Sequence, residues 1–447
     1  MRSLRTVVVL LCLALAATTV SALPAHAATN QKGTYTPLTA QRILDTRVPT
    51  GVPQAGPLGP GKTLDLQVAG RGGVPTSGVA AVVLNLTVTN TTANGYLAAY
   101  PTGGSRPVVS SINFNKGIAL ANIATVPLGT GGKITIYASN GGPVSVIADV
   151  MGFYAANDVP SATTGPGSEF DVVDPDRLVD TRTDPEGILA ANGVLTTSIE
   201  FLGVDSSDIK ALALNITAVG GTGSGYLTAW NNVGSPPKTS TLNYRKGAAV
   251  ANLAVVNTSV CTVCDPTPQV QFGVYNGSST PVHVLVDLVG VYFNDGSVSL
   301  RFSPVTPVRI SDSRTPLNGV PLTPNQTQTV NAPSTVAGPN TIALVANAAV
   351  VAPTASTYLT LWAGGQRPTA SNLNALAGTT AANGAFVGLS DANQFSLYNQ
   401  AGTGNFIIDV SGRFDIGTGL AAKQQQVAAK KFSTPQVSSR RTTVAAR

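Results

Sequence analysis

Apolar and polar residues alternate along this chain in short runs broken by turn residues. The first such set comprises Ile43–Thr46, Thr63–Val68, Ala80–Thr89, Tyr96–Tyr100, Val109–Phe114, Ala119–Leu128, Lys133–Ala138 and Val144–Tyr154. Between them stand Asn94-Gly95, Gly103-Gly104, Gly131-Gly132 and Gly141-Gly142-Pro143. Period-two runs bounded by such residues predict strands and tight turns. About eight short strands predict an antiparallel β-sandwich of the jelly-roll kind, although a closed barrel fits the same count.

The pattern occurs three times. Arg42-Ile-Leu-Asp45-Thr-Arg47 recurs as Arg177-Leu-Val-Asp180-Thr-Arg182 and as Arg309-Ile-Ser-Asp312-Ser-Arg314. Gly95-Tyr96-Leu-Ala-Ala-Tyr100 recurs as Gly225-Tyr226-Leu-Thr-Ala-Trp230 and Thr357-Tyr358-Leu-Thr-Leu-Trp362. A closing strand with Asp149, Asp287 or Asp409 ends each copy at Tyr154, Tyr292 or Phe414. Asn85 to Tyr96, Asn215 to Tyr226 and Asn347 to Tyr358 are all 11 apart. Self-similarity at this many positions predicts triplication of one unit. The expected organisation is a leader over 1–27, β modules over 35–156, 168–294 and 300–416, and a basic disordered tail over 417–447. Between the second Asn pair and the next Tyr, copy two carries 8 extra residues, among them Cys261 and Cys264.

The leader reading rests on Arg2 and Arg5, an apolar run from Val7 to Ala17, and Ala25-His26-Ala27 as a cleavage site, so the mature chain is expected to begin at Ala28 and to be exported. No later run is long and apolar enough for a membrane span. The net charge of +6 is unevenly placed. Two of the 27 basic residues lie in the leader and six in the tail, leaving 19 against 21 acidic residues. A fold that is nearly neutral does not suit nucleic acid, which needs basic residues on the fold itself.

Candidate chemistry is sparse. An aspartate inside an apolar strand needs a partner. Arg42, Asp45 and Asp149, with Arg177, Asp180, Asp287 and Arg309, Asp312, Asp409, therefore predict ion pairs locking the first strand of each copy to its last. The recurrent Asn85, Asn113 and Asn122 and their counterparts are expected to satisfy backbone groups. Cys261-Thr-Val-Cys264 predicts a disulfide across a loop tip in an exported protein. The mature chain has a single histidine, His283, and offers no nucleophile elbow and no His/Cys metal cluster; no metal, cofactor or catalytic residue is expected. A hydrolase using Asp180 is the weakest alternative.

The aromatic strand has two readings. Alternation puts Tyr96 and Tyr100, Tyr226 and Trp230, and Tyr358 and Trp362 on one face, with Arg106, Lys238 and Arg367 in the loop that follows. That set could be a platform for stacking on a sugar ring, or it could line a core.

The R-x-L-D-T-R opening, the G-Y-L-T strand, the S-x-L-N segment and the D-V-x-G-Y-Y close resemble a tandem repeat of secreted actinobacterial proteins, sometimes found beside cell-wall amidase domains. The resemblance covers nearly all of 42–414. It implies an extracellular, wall-associated accessory role and supplies no ligand. Copy three departs from it at Ser311, Ser313 and Thr357. The expected function is thus non-catalytic binding of a glycan or wall polymer at several sites, with a structural or adhesive spacer as the alternative.

Overall fold

The computed structural model describes residues 31–157, 167–264, 268–295, 299–315, 317, 319–417 and 436–443. The expected leader and most of the first linker lie outside the described residues.

Module 1 comprises β1 (Tyr35–Asp45), β2 (Thr63–Gln67), β3 (Val79–Thr89), β4 (Gly95–Pro101), β5 (Ile112–Phe114), β6 (Leu120–Pro127), β7 (Lys133–Ala138) and β8 (Ser145–Ala155). Module 2 comprises β9 (Glu169–Asp180), β10 (Gly193–Glu200), β11 (Ile209–Val219), β12 (Gly225–Trp230), β13 (Leu242–Tyr244), β14 (Val250–Asn257), β15 (Ser259–Cys261), β16 (Gln269–Asn276) and β17 (His283–Phe293). Module 3 comprises β18 (Leu300–Asp312), β19 (Gln326–Asn331), β20 (Thr341–Val351), β21 (Thr357–Trp362), β22 (Leu373–Ala375), β23 (Ala381–Gly388), β24 (Gln394–Asn399) and β25 (Asn405–Ile416). A further strand, β26 (Gln436–Thr443), follows.

Each module is two packed antiparallel sheets, which decides for a sandwich over a barrel. In module 1 the orders are β1-β8-β3-β6 and β2-β7-β4-β5. Successive strands alternate between the sheets except for the β4–β5 hairpin, which stays within one sheet; this is the jelly-roll connection. Modules 2 and 3 repeat it as β9-β17-β11-β14 with β10-β16-β12-β13, and as β18-β25-β20-β23 with β19-β24-β21-β22. β15 is the insertion of module 2 and pairs with β16.

The sequence pattern of each strand reports which sheet it joins. β3 is almost continuously apolar and buried along its length, because one face packs on its own core and the other on a neighbouring module. β2 and β19 alternate, with one face to solvent. Each sandwich has its own apolar core. A fourth cluster lies among all three modules and includes Tyr35, Tyr154, Phe170, Tyr292, Phe302 and Phe414.

The modules close into a ring with threefold pseudosymmetry. Tyr35 packs on Tyr292 at 4.5 Å, Phe170 on Phe414 at 4.1 Å and Phe302 on Tyr154 at 4.0 Å, so the first-strand ring of each module meets the last-strand ring of the next. The glycine of the closing motif makes room for this. A Cβ at Gly152, Gly290 or Gly412 would run into the ring of Tyr35, Phe170 or Phe302 respectively. β6, β14 and β23 face one another round the axis.

The tail expectation is corrected in part. Gln436–Thr443 pairs antiparallel with Gly193–Glu200 along the edge of the outer sheet of module 2. β10 otherwise ends that sheet with unpaired backbone groups, and an added strand satisfies them. The rest of the tail lies outside the described residues.

Candidate functional site

The repeated charged motif builds a stripe across each inner sheet. Arg42, Asp149 and Asn85 are cross-strand partners on β1, β8 and β3, so their side chains share one face, turned from their own core toward the next module. Arg42 donates from Nε to Asp149 at 2.9 Å and from Nη1 to Asp45 at 3.4 Å, and Arg47 donates to Asp45 at 2.7 Å. Module 3 repeats this with Arg309 on Asp409 at 2.8 Å and Asp312 at 3.0 Å, and Arg314 on Asp312 at 2.7 Å. In module 2, Arg177 pairs with Asp287 and lies 3.0 Å from Asp180, which also takes Arg182 at 2.6 Å. The geometry is a bridge between the first and last strands.

The two aspartates of each bridge titrate in opposite directions. Burial pushes Asp149 and Asp409 up, and Asp287 up to about 6, against the pull of Arg42, Arg309 and Arg177. Hydrogen bonds from Arg47 and Arg182 hold Asp45 and Asp180 down, and those from Arg314 hold Asp312 down to about 2. Asp180, the candidate carboxylate of a hydrolase, has both oxygens engaged by arginines and by the backbone N–H of Arg182.

Sequence reasoning assigned the recurrent asparagines to backbone groups, and Asn122, Asn252 and Asn383 do bind carbonyls of their own modules, but it missed that they also bind groups of neighbouring modules. Asn85 Nδ2 donates to the Ser240 carbonyl at 2.6 Å, Asn215 to Ser371 at 2.5 Å and Asn347 to Ser110 at 2.8 Å. Asn252 donates to Asn85, Asn383 to Asn215 and Asn122 to Asn347, each at 2.9 Å. The Oδ1 atoms of Asn252, Asn383 and Asn122 accept from the N–H of Ile123, Leu253 and Gly384. Asn113 differs; it accepts from Ser110 within its own loop.

The aromatic strand divides in two. Tyr100, Trp230 and Trp362 are only 7%, 7% and 3% exposed. The loop after the strand folds back over them; Thr228 and Thr360 donate to the carbonyls of Thr239 and Ala370 in it. Rings so covered cannot stack on a ligand, which corrects the platform as expected from sequence. The other half remains at the surface. Tyr96, Tyr226 and Tyr358 pair with Tyr137, Tyr275 and Tyr398, ring centroids 6.1, 6.4 and 6.1 Å apart. Tyr137 and Tyr398 are themselves buried, each 6% exposed, with Arg106 4.1 Å over the Tyr137 ring and Arg367 3.7 Å over Tyr398, so in modules 1 and 3 only Tyr96 and Tyr358 reach the surface. In module 2, Lys238 is exposed, Tyr275 is half-buried and Tyr226 is 38% exposed, so this face is the most open of the three. Tyr137, Tyr275 and Tyr398 were visible in the sequence only as spacing landmarks. Their cross-strand placement opposite Ala98, Thr228 and Thr360 brings them to the site.

Cys261 and Cys264 form a disulfide, and Cys264 also approaches Ser198 Oγ at 3.4 Å. His283 Nδ1 is 3.1 Å from both Oγ1 and O of Thr181. Among the described residues no group of three or more His, Cys, Asp or Glu side chains is placed to hold a metal ion, and no helix is long and apolar enough to cross a membrane.

No family model matches the chain, and no curated protein matches it. Among solved structures, it is similar to one from the Sulfolobus turreted icosahedral virus, at 10% identity over 87% of this chain and 92% of the other, with a TM-score of 0.17. A second, described as the triple jelly-roll fold and turret assembly of an archaeal virus, has 9% identity over 86% and 91%, with a TM-score of 0.16. Superpositions this loose carry no argument about function.

Proposed function

We propose that this protein is a secreted, non-catalytic binding protein that holds a glycan or cell-wall polymer at the tyrosine faces of its three outer sheets. The observation that carries this reading is the surface tyrosine repeated on each outer sheet with a cation in the adjoining loop: Tyr96 with Arg106, Tyr226 beside half-buried Tyr275 with Lys238, and Tyr358 with Arg367. Aromatic faces with a neighbouring donor suit sugar rings, which offer C–H faces and hydroxyls. Three weak faces on one rigid ring would act together through effective concentration. Module 2, the most open face, is the strongest candidate. The spacer reading has less support, because sandwiches packed round one axis add little length. The experiment is co-sedimentation with purified cell walls at high salt, comparing the parent with a Tyr96→Ala/Tyr226→Ala/Tyr358→Ala variant. Loss of salt-resistant binding in the folded variant supports the reading; equal binding removes it.

A further inference from the structure

The three modules also enclose a second site, at one end of their axis. The loops between β5 and β6, β13 and β14, and β22 and β23 converge there and line a half-open pocket of about 60 Å³. Equivalent positions from all three modules contribute: Asn115, Arg245 and Leu376 at one level, and Leu120, Val250 and Ala381 at the next. The pocket exists only because the ring closes.

Its charge is unbalanced. Arg245 is half-buried, and among the described residues its guanidinium has no ion pair or hydrogen-bond partner. No carboxylate lines the pocket. Lys116 and Lys246, each one residue along from a lining position, are exposed beside it. Asn243 and Asn374 line the wall and add polar groups, each donating from Nδ2 to a serine hydroxyl. A half-buried guanidinium without a counter-charge favours an oxyanion, to which its planar fork donates two parallel hydrogen bonds. The apolar residues of the second level, Leu120, Val250 and Ala381, suit a short hydrocarbon body behind that group.

We infer that this axial pocket binds one small oxyanion ligand, a carboxylate or phosphoryl group on a short apolar body, with Arg245 as its anchor. The other two modules place Asn115 and Leu376 at that position, so one ligand binds per chain despite the threefold arrangement. The inference stands apart from the tyrosine faces, which lie on the outer sheets.

The test uses the full chain and isothermal titration with two probes, inorganic phosphate and butyrate, at constant ionic strength set with chloride. We expect saturable one-to-one binding of at least one probe, and the tighter of the two identifies the head group. Arg245→Leu, which installs the module 3 residue, should weaken that probe at least about tenfold, the scale of a lost charge-assisted bidentate pair. Arg245→Lys should recover only part of the loss, because an ammonium lacks the fork. Wall co-sedimentation should be unchanged in Arg245→Leu, and phosphate or butyrate binding unchanged in the triple tyrosine variant. No saturable binding of either probe, or equal binding by a folded Arg245→Leu protein, overturns the inference.

Discussion

Asn252 donates from Nδ2 to Asn85 Oδ1 at 2.9 Å, across the seam between the second module and the first. The same bond recurs at the other two seams, so the ring is held at equivalent points by polar groups that no single module could satisfy alone. A buried amide with all its groups paired fixes register, and one left half-paired is costly.

Asn252→Ala should therefore lower stability by more than one contact suggests. It removes donors from Asn85 and from the Thr241 carbonyl, and the acceptor of the Ile123 N–H. Buried groups left unpaired cost about 1–3 kcal/mol each. The measurement is the denaturant midpoint, with half-buried Asn113→Ala as the milder control. Equal effects would mean that the seam bonds do not stabilise the ring.

Gly290→Ala should destabilise by steric conflict. Its Cβ would meet the Phe170 ring and approach the Asp171 carbonyl at 2.9 Å. Overpacking of a tight core typically costs about 1–3 kcal/mol. Adding Phe170→Leu should recover part of the loss, a coupling that a double-mutant cycle reads directly. Strictly additive losses would show that the ring is not what excludes the side chain.

Stability should depend on pH in two opposed ways. Asp287 sits at about 6 when folded because burial outweighs Arg177, against an unfolded value near 3.9. Stability from that group is full below the unfolded value and is lost as pH rises through about 6, by up to about 3 kcal/mol. Asp149 and Asp409 shift the same way. Asp45, Asp180 and Asp312 shift down, so their contribution is present above the unfolded value and is lost as pH falls below it, for Asp312 as pH falls through about 2. Thermal midpoints should be highest between about pH 4 and 5, lower at pH 7, and lowest near pH 2. Asp287→Asn should flatten the neutral side; a midpoint rising steadily from pH 5 to 7 would contradict the assignment.

Removing 418–447 should promote self-association. The truncation takes away β26 and bares the backbone edge of β10. Open edges pair with one another. Light scattering against concentration reads this, and a truncated chain that stays as monodisperse as the parent would mean that β26 does not protect the edge.

Much of this molecule is legible in one dimension. Period-two runs and turn pairs specify strands, and threefold repetition of Arg-x-x-Asp, Tyr-Leu and the closing glycine specifies equivalent units, because these depend on neighbours close along the chain or on a partner strand within the unit. The buried position of Asp149 in an apolar run already demanded Arg42 or a similar cation. What a module does with its outer surfaces is not encoded that way. Trp230 and Tyr226 alternate identically in sequence, and only the loop folding back makes one covered and the other exposed. Asn85 reads as a polar residue in a strand, and only the ring supplies the Ser240 carbonyl it binds. Arg245 belongs to none of the repeated motifs, and only convergence of three loops surrounds it with a pocket. The local pattern determines secondary structure and each module's core. Burial at the seams and on the axis is a property of three modules together, set by contacts more than a hundred residues apart along the chain.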